Sequence, residues 1–227
     1  MRKISLLISL ALLLGLLGCI NFQPKNESVV RSLDSEDTEI PMQEGEKQDD
    51  LAVEDSIHLR FKGVPIDGTL EQFVLRMERS GFQCMDVEDG TAVLKGDFAA
   101  FKECTVFVST LSGKDLVSRI AVQFPERDQW QYLYGDYKNL KDLLTEKYGK
   151  PSSCVERFQK HYVEPDDMMK MLYVQSDKCN YETTFTTGKG TIVLSIEHGE
   201  YSSCFVMLAY RDKVNNQVIR EHAINDL

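Results

Sequence analysis

The sequence predicts an α+β fold: two tandem helix-plus-three-strand antiparallel units, helices packed on sheet, with an added C-terminal helix. Three observations carry this. An amphipathic helix pattern is followed by short stretches of alternating polar and apolar residues, the period of half-buried strands. The same series then starts again. The two series also superpose at fixed offsets: Leu70 on Leu140 and Cys84 on Cys154 at 70 residues, then Thr105 on Thr191, Ile120 on Val206 and Phe124 on Tyr210 at 86. The change in offset places about 16 extra residues in the second half, around Val155 to Leu172. Each half alone would bury little; two halves pooled make a core.

The elements follow in order. His58 to Phe61 alternates as a short strand, and the run from Gly63 to Gly68 is a turn. Thr69 and Gln72 fit a capping box, in which each side chain satisfies an orphan amide of the other residue. Leu70, Phe73, Val74 and Met77 then fall on one helical face that stops before Gly81. Three strands are expected at 91–98, 105–109 and 118–125. The acids Asp86, Glu88 and Asp89 with Gly90 read as a turn before the first of them.

The second series opens on a longer helix marked by Leu133, Tyr137, Leu140, Leu143, Leu144 and Tyr148, and closed by Gly149 and Pro151. Strands are expected at 181–187, 191–196 and 204–210, with a tight turn over Thr187 to Gly190, and a last helix at 214–225. Repeat one thus covers about 57–126 and repeat two about 127–227.

Ahead of this body the chain changes character. Arg2 and Lys3 precede an uncharged apolar run from Ile4 to Gly18. That is shorter than the ~20 residues a spanning helix needs, and it has the flanks of a secretory signal. The run ends in Leu16-Leu17-Gly18-Cys19. This ending resembles the lipobox of bacterial lipoproteins. The resemblance implies cleavage of a signal at 1–18 and acylation of Cys19, leaving a body held on the membrane by its N-terminal lipid, without a spanning helix.

Residues 19–56 then form an acidic tether. Between Glu27 and Asp55, eleven acids face Arg31 and Lys47 alone, a net −9 that leaves −4 for residues 57–227. With no aromatic residue and no periodic apolar face, the stretch cannot offset its ordering entropy. It reads as a solvated spacer, or as a tail for a basic partner. An overall pI near 5.0 argues against nucleic acid as a partner, since phosphate binding needs clustered Lys and Arg.

With Cys19 lipidated, five cysteines remain: Cys84, Cys104, Cys154, Cys179 and Cys204. No two stand in C-x-x-C spacing. Export permits disulfides, so buried, inert thiols with one or two bridges are expected, at least one being left over.

A doubled helix-then-strands unit on an exported chain resembles the tandem architecture of the β-lactamase inhibitor protein. Its single-unit relatives are small outer-membrane assembly lipoproteins of the SmpA/OmlA type. Gly63 to Leu70, Leu94 to Phe98, Tyr148 to Pro151 and Lys189 to Ile196 also resemble small uncharacterised lipoproteins of Bacteroidetes, a likeness that implies no activity. Acids are expected directly after the lipidated Cys of surface-exposed members. Here Ile20-Asn21-Phe22-Gln23 follows, which favours a periplasm-facing anchor in the cell envelope.

Catalytic chemistry needs a base, a nucleophile or a metal within mutual reach. No G-x-S-x-G, P-loop or G-x-G-x-x-G is present, and none of the histidines His58, His161, His198 and His222 stands in a zinc spacing. His161, Glu164, Asp166 and Asp167 could in principle ligate a cation, but read as a solvated loop. No catalytic residue, metal site or cofactor is assigned. A recognition patch is the remaining candidate: Trp130, Tyr132, Tyr134 and Tyr137 crowd the second helix, as interface anchors or as core. The expected function is a membrane-anchored lipoprotein binding a protein or envelope component. A hydrolase or transferase with an unrecognised site, or a purely structural envelope lipoprotein, are the alternatives.

Overall fold

A computed structural model describes residues 57–111, 114–159, 165–200 and 203–225. The signal at 1–18, Cys19, the tether at 19–56, and His161 and Glu164 lie outside the described residues.

The chain enters through a two-stranded hairpin, β1 (Arg60–Phe61) and β2 (Val64–Pro65). Lys62 and Gly63 turn it at φ 48° and 82°, the left-handed pair that matches strand twist in a two-residue hairpin. Helix α1 (Leu70–Arg79) follows, with the capping box of Thr69 and Gln72 in place. Four strands come next: β3 (Gln83–Glu88), β4 (Thr91–Phe98), β5 (Phe101–Leu111) and β6 (Lys114–Gln123). Then come α2 (Trp130–Tyr148), β7 (Ser153–Phe158), α3 (Asp167–Gln175), β8 (Cys179–Thr187), β9 (Gly190–His198), β10 (Cys204–Asp212) and α4 (Lys213–Asn225).

The expected pair of helix-plus-three-strand units is not what forms. A single antiparallel sheet of eight strands runs in the order β3-β4-β5-β6-β10-β9-β8-β7. Two strands were hidden from the sequence because they are its edges. β3 has five of six residues exposed and β7 has four of six, so neither shows the alternation that marks a half-buried strand. The acids at 86–90 are therefore mostly strand; only Asp89 and Gly90 turn, at φ 46° and 72°. Helix α3 is also new, started by Asp166, whose side chain accepts from the Met169 amide at 2.8 Å.

The centre is continuous. β6 pairs directly with β10, Ile120 opposite Tyr210 and Val122 opposite Leu208. One core cluster therefore spans the sheet, from Phe73 and Met77 of α1 through Leu94, Val106, Ile120 and Val206 to Phe185 and Leu140 of α2. Such burial, at roughly 25 cal/mol per Å² of apolar surface, is the main favourable term.

Two glycines are required by close approach. A Cβ on Gly96 would lie 2.5 Å from the Phe82 ring. On Gly190 it would lie 2.2 Å from the Arg211 carbonyl oxygen, with φ at +154°. Gly190 thus lets β9 close against the end of β10, where α4 begins.

The expected disulfides do not form among the described residues: Cys84, Cys104, Cys154, Cys179 and Cys204 make no S–S bond to one another. Cys84 faces Leu94 and Cys104 faces Gly96, so both flank β4 from opposite sides. Strands two apart are about 9.5 Å distant, beyond the reach of an S–S bond. Cys154 and Cys179 lie on neighbouring strands but out of register, opposite Thr183 and Phe158.

Candidate functional site

Alternation along each strand sends one side chain set to the helices and the other away from them. Leu94, Val106, Ile120, Leu208 and Leu194 belong to the core cluster. Their sequence neighbours form the second face, and register sets them in transverse rows. One row runs Val93, Phe107, Ala121, Ala209, Val193 and Thr184, each opposite the next. None of these six belongs to the core cluster. Phe107, Val93 and Val193 are half-buried, while Ala121 and Ala209 sit low between them. The result is a shallow apolar strip across the middle of the sheet, on small side chains.

A polar row lies beside it: Thr91, Ser109, Arg119, Arg211, Thr191 and Thr186. Arg119 and Arg211 are direct cross-strand neighbours of like charge, an unfavourable pairing. Burial first, then the charge of Arg211, hold the Arg119 guanidinium below its ordinary value, with Glu197 opposing. Its Nε is buried without a hydrogen-bond partner.

The second end of this row opens into a groove of about 680 Å³. Arg211, Thr191 and Thr186 form one wall and α4 the other, through Asn216, Arg220 and Ile224. Lys213 and the acids Asp212 and Glu221 also line the groove. Asp212 is fully committed elsewhere. It accepts from the amides of Leu59 at 2.8 Å and Asn215 at 3.0 Å, and its Oδ2 meets His58 Nδ1 at 3.0 Å.

The aromatic residues singled out by the sequence have a different disposition. Trp130 and Tyr137 are buried members of the core, and Tyr134 packs against it. Trp130 stacks on Tyr134 with centroids 5.6 Å apart, and meets Phe158 and Tyr181 edge-on. Tyr132 alone of the four is exposed, at 55%. The structure therefore gathers three of the four into the packing of α2 on β7 and β8, and leaves Tyr132 by itself on the surface.

A second polar cluster was not visible in the sequence, because its members come from α2, β7 and β8. Tyr137 Oη and Thr183 Oγ1 are 2.6 Å apart in the interior, and Thr183 donates to Cys154 Sγ at 3.5 Å. Lys141 Nζ lies 3.3 Å from that sulfur and 2.5 Å from Glu156 Oε1. Burial raises the Glu156 carboxyl, but the Lys141 hydrogen bond and charge outweigh it and the net direction is down. Burial lowers Lys141, and its hydrogen bonds to Glu156 and Cys154 turn the net direction up. The ammonium is thus shared between sulfur and carboxylate. This cluster ties an edge strand to a helix.

Among the described residues no group of three His, Cys, Asp or Glu could hold a metal ion. Asp166, one of the conceivable ligands in the sequence, is instead the cap of α3, and Asp167 pairs with Lys170 at 3.1 Å. Among the described residues no helix is long and apolar enough to cross a membrane. No protein-family model matches the chain, and no curated protein or solved structure matches it either.

Proposed function

We propose that this chain is a lipid-anchored lipoprotein of the bacterial cell envelope, acylated at Cys19 and facing the periplasm, whose body binds a protein or envelope component on the sheet face away from the core. The lipobox-like Leu16-Leu17-Gly18-Cys19 and the charged tether support the anchoring half of this reading. One observation carries the binding half. Phe107, Val93 and Val193 form a half-buried apolar strip outside the core cluster, bounded by the Arg119–Arg211 row. An apolar strip with a polar, charged rim is the anatomy of a recognition surface.

A photoreactive residue placed at Phe107 or Val193 in the full chain, expressed in a bacterial envelope, tests the reading. The same discrete adduct is expected from both positions and none from Leu75, an exposed residue of α1. Adducts from Leu75 alone, or from no position, would overturn it. Cys19→Ala should move the protein out of the membrane fraction; retention there would remove the anchor from the proposal.

A further inference from the structure

We propose that the groove between α4 and the ends of β8, β9 and β10 is an anion site for a phosphate group. This deepens the reading of the open face as a binding surface and rests on it. Arg211, Lys213 and Arg220 line the groove, and among the described residues none of the three is in an ion pair. Two acids line it as well, which leaves one net positive charge, and both carboxylates already have other hydrogen-bond partners. Asp212 is held by His58 and by the amides of Leu59 and Asn215. Glu221 accepts from Gln217 Nε2 at 2.9 Å on its own helix.

Geometry adds to this. The register places Arg119 directly beside Arg211, so a fourth cation stands next to the groove on the same sheet face. Adjacent guanidinium groups repel unless an anion lies between them or close by; Glu197 opposes the repulsion at Arg119 but does not outweigh it together with burial, and a bound anion would relieve it further. The orphaned Nε of Arg119 is a donor still lacking its acceptor. Thr191 lies opposite Arg211 in the register and lines the same groove, adding a hydroxyl donor.

The ligand class follows from the donor set. Several cations with a hydroxyl suit a phosphate group, with its several acceptor oxygens, better than a single carboxylate. The volume, about 680 Å³, exceeds what inorganic phosphate needs and leaves room for the organic part of an ester. A free phosphate compound and the headgroup of an anionic phospholipid present the same chemistry.

The test uses the full chain in a non-ionic detergent. Arginine side-chain N–H signals are followed by NMR while inorganic phosphate, then phosphatidylglycerol or phosphatidylcholine, is added at constant ionic strength. Saturable shifts of Arg211 and Arg220 are expected with phosphate or with phosphatidylglycerol. Response to phosphate identifies a soluble ligand, and response to phosphatidylglycerol alone identifies a headgroup. Arg211→Ala and Arg220→Gln should each weaken binding by at least about ten-fold. Arg220→Gln, on the exposed side of a helix, guards against loss of folding. Arg211→Lys should weaken it too, because the planar fork is lost. Arg157→Ala, on the edge strand, should change nothing. Shifts matched by chloride at the same ionic strength, no shift at all, or equal affinity in Arg220→Gln would overturn the proposal. Such a failure leaves the cross-linking result at Phe107 untouched, so the two readings fail separately.

Discussion

His58 and Asp212 meet at 3.0 Å across a sequence separation of 154 residues. The carboxylate is fully buried and the imidazole nearly so. The same carboxylate receives the Leu59 amide and starts α4 through the Asn215 amide. One side chain thus fastens the first described strand to the last helix. Beside it Asn215 Nδ2 donates to the Val117 carbonyl at 2.8 Å and to that of Ile66 at 3.1 Å.

Replacing Asp212 by Ala removes the acceptor from several buried donors at once. A buried hydrogen-bonded group of this kind is worth about 2–4 kcal/mol. Urea denaturation of Asp212→Ala should show a loss of that size, and an unchanged midpoint would refute the fastening role. The groove should suffer with it, because α4 begins at this residue.

Tyr137 and Thr183 form an interior pair of hydroxyls at the buried end of the Cys154–Lys141–Glu156 cluster. Either Tyr137→Phe or Thr183→Val strands one polar group, at a cost of about 1–2 kcal/mol. The double variant strands neither, so its loss should fall well short of the sum. Additive losses in a double-mutant cycle would show that the pair is not coupled.

The cysteines should divide by exposure. Cys154 is exposed and Cys84 half-buried, whereas Cys104, Cys179 and Cys204 are buried. An alkylating reagent followed by mass spectrometry should label Cys154 first, then Cys84, and the other three only on unfolding. No reducing agent should be needed for full labelling in denaturant. A requirement for one would reveal a bridge.

Stability should fall in alkali. Burial pushes the Cys104 thiol up to about 11 and raises the Tyr210 and Tyr137 phenols. Each keeps its proton in the folded chain after the unfolded chain has lost it, near pH 8.5 for a thiol and about 10 for a phenol. The unfolded state then binds fewer protons, so stability declines as pH rises through that window. Urea midpoints at pH 7, 9 and 10.5 should drop in that order. Cys104→Ala should flatten the slope below pH 10 by about one proton, and an unaltered slope would contradict the assignment.

Much of this architecture was legible in the chain wherever burial was one-sided. The capping box at Thr69 and Gln72, the stripe Leu70-Phe73-Met77 and the strands around Val106, Ile120 and Val206 all announce themselves by period. The edges do not. Gln83–Glu88 and Ser153–Phe158 are held by backbone pairing to one neighbour, and backbone bonds leave no mark on residue type. That omission turned four-strand series into three-strand ones. The candidate site was hidden for a related reason. Arg119 and Arg211 become neighbours only through the β6–β10 pairing, a relation no local window contains. The aromatic stretch 130–137 was conspicuous, yet three of its four rings serve the core.

The position of β10 has a consequence for synthesis. The last of the described strands fills the middle of the sheet, between β6 and β9. A chain that emerges N-terminus first cannot close that gap until Asp212 has emerged, and before then β6 and β9 each expose a long unpaired border. Completion arrives in one late step, so a stalled or clipped product lacks its keystone rather than a dispensable end.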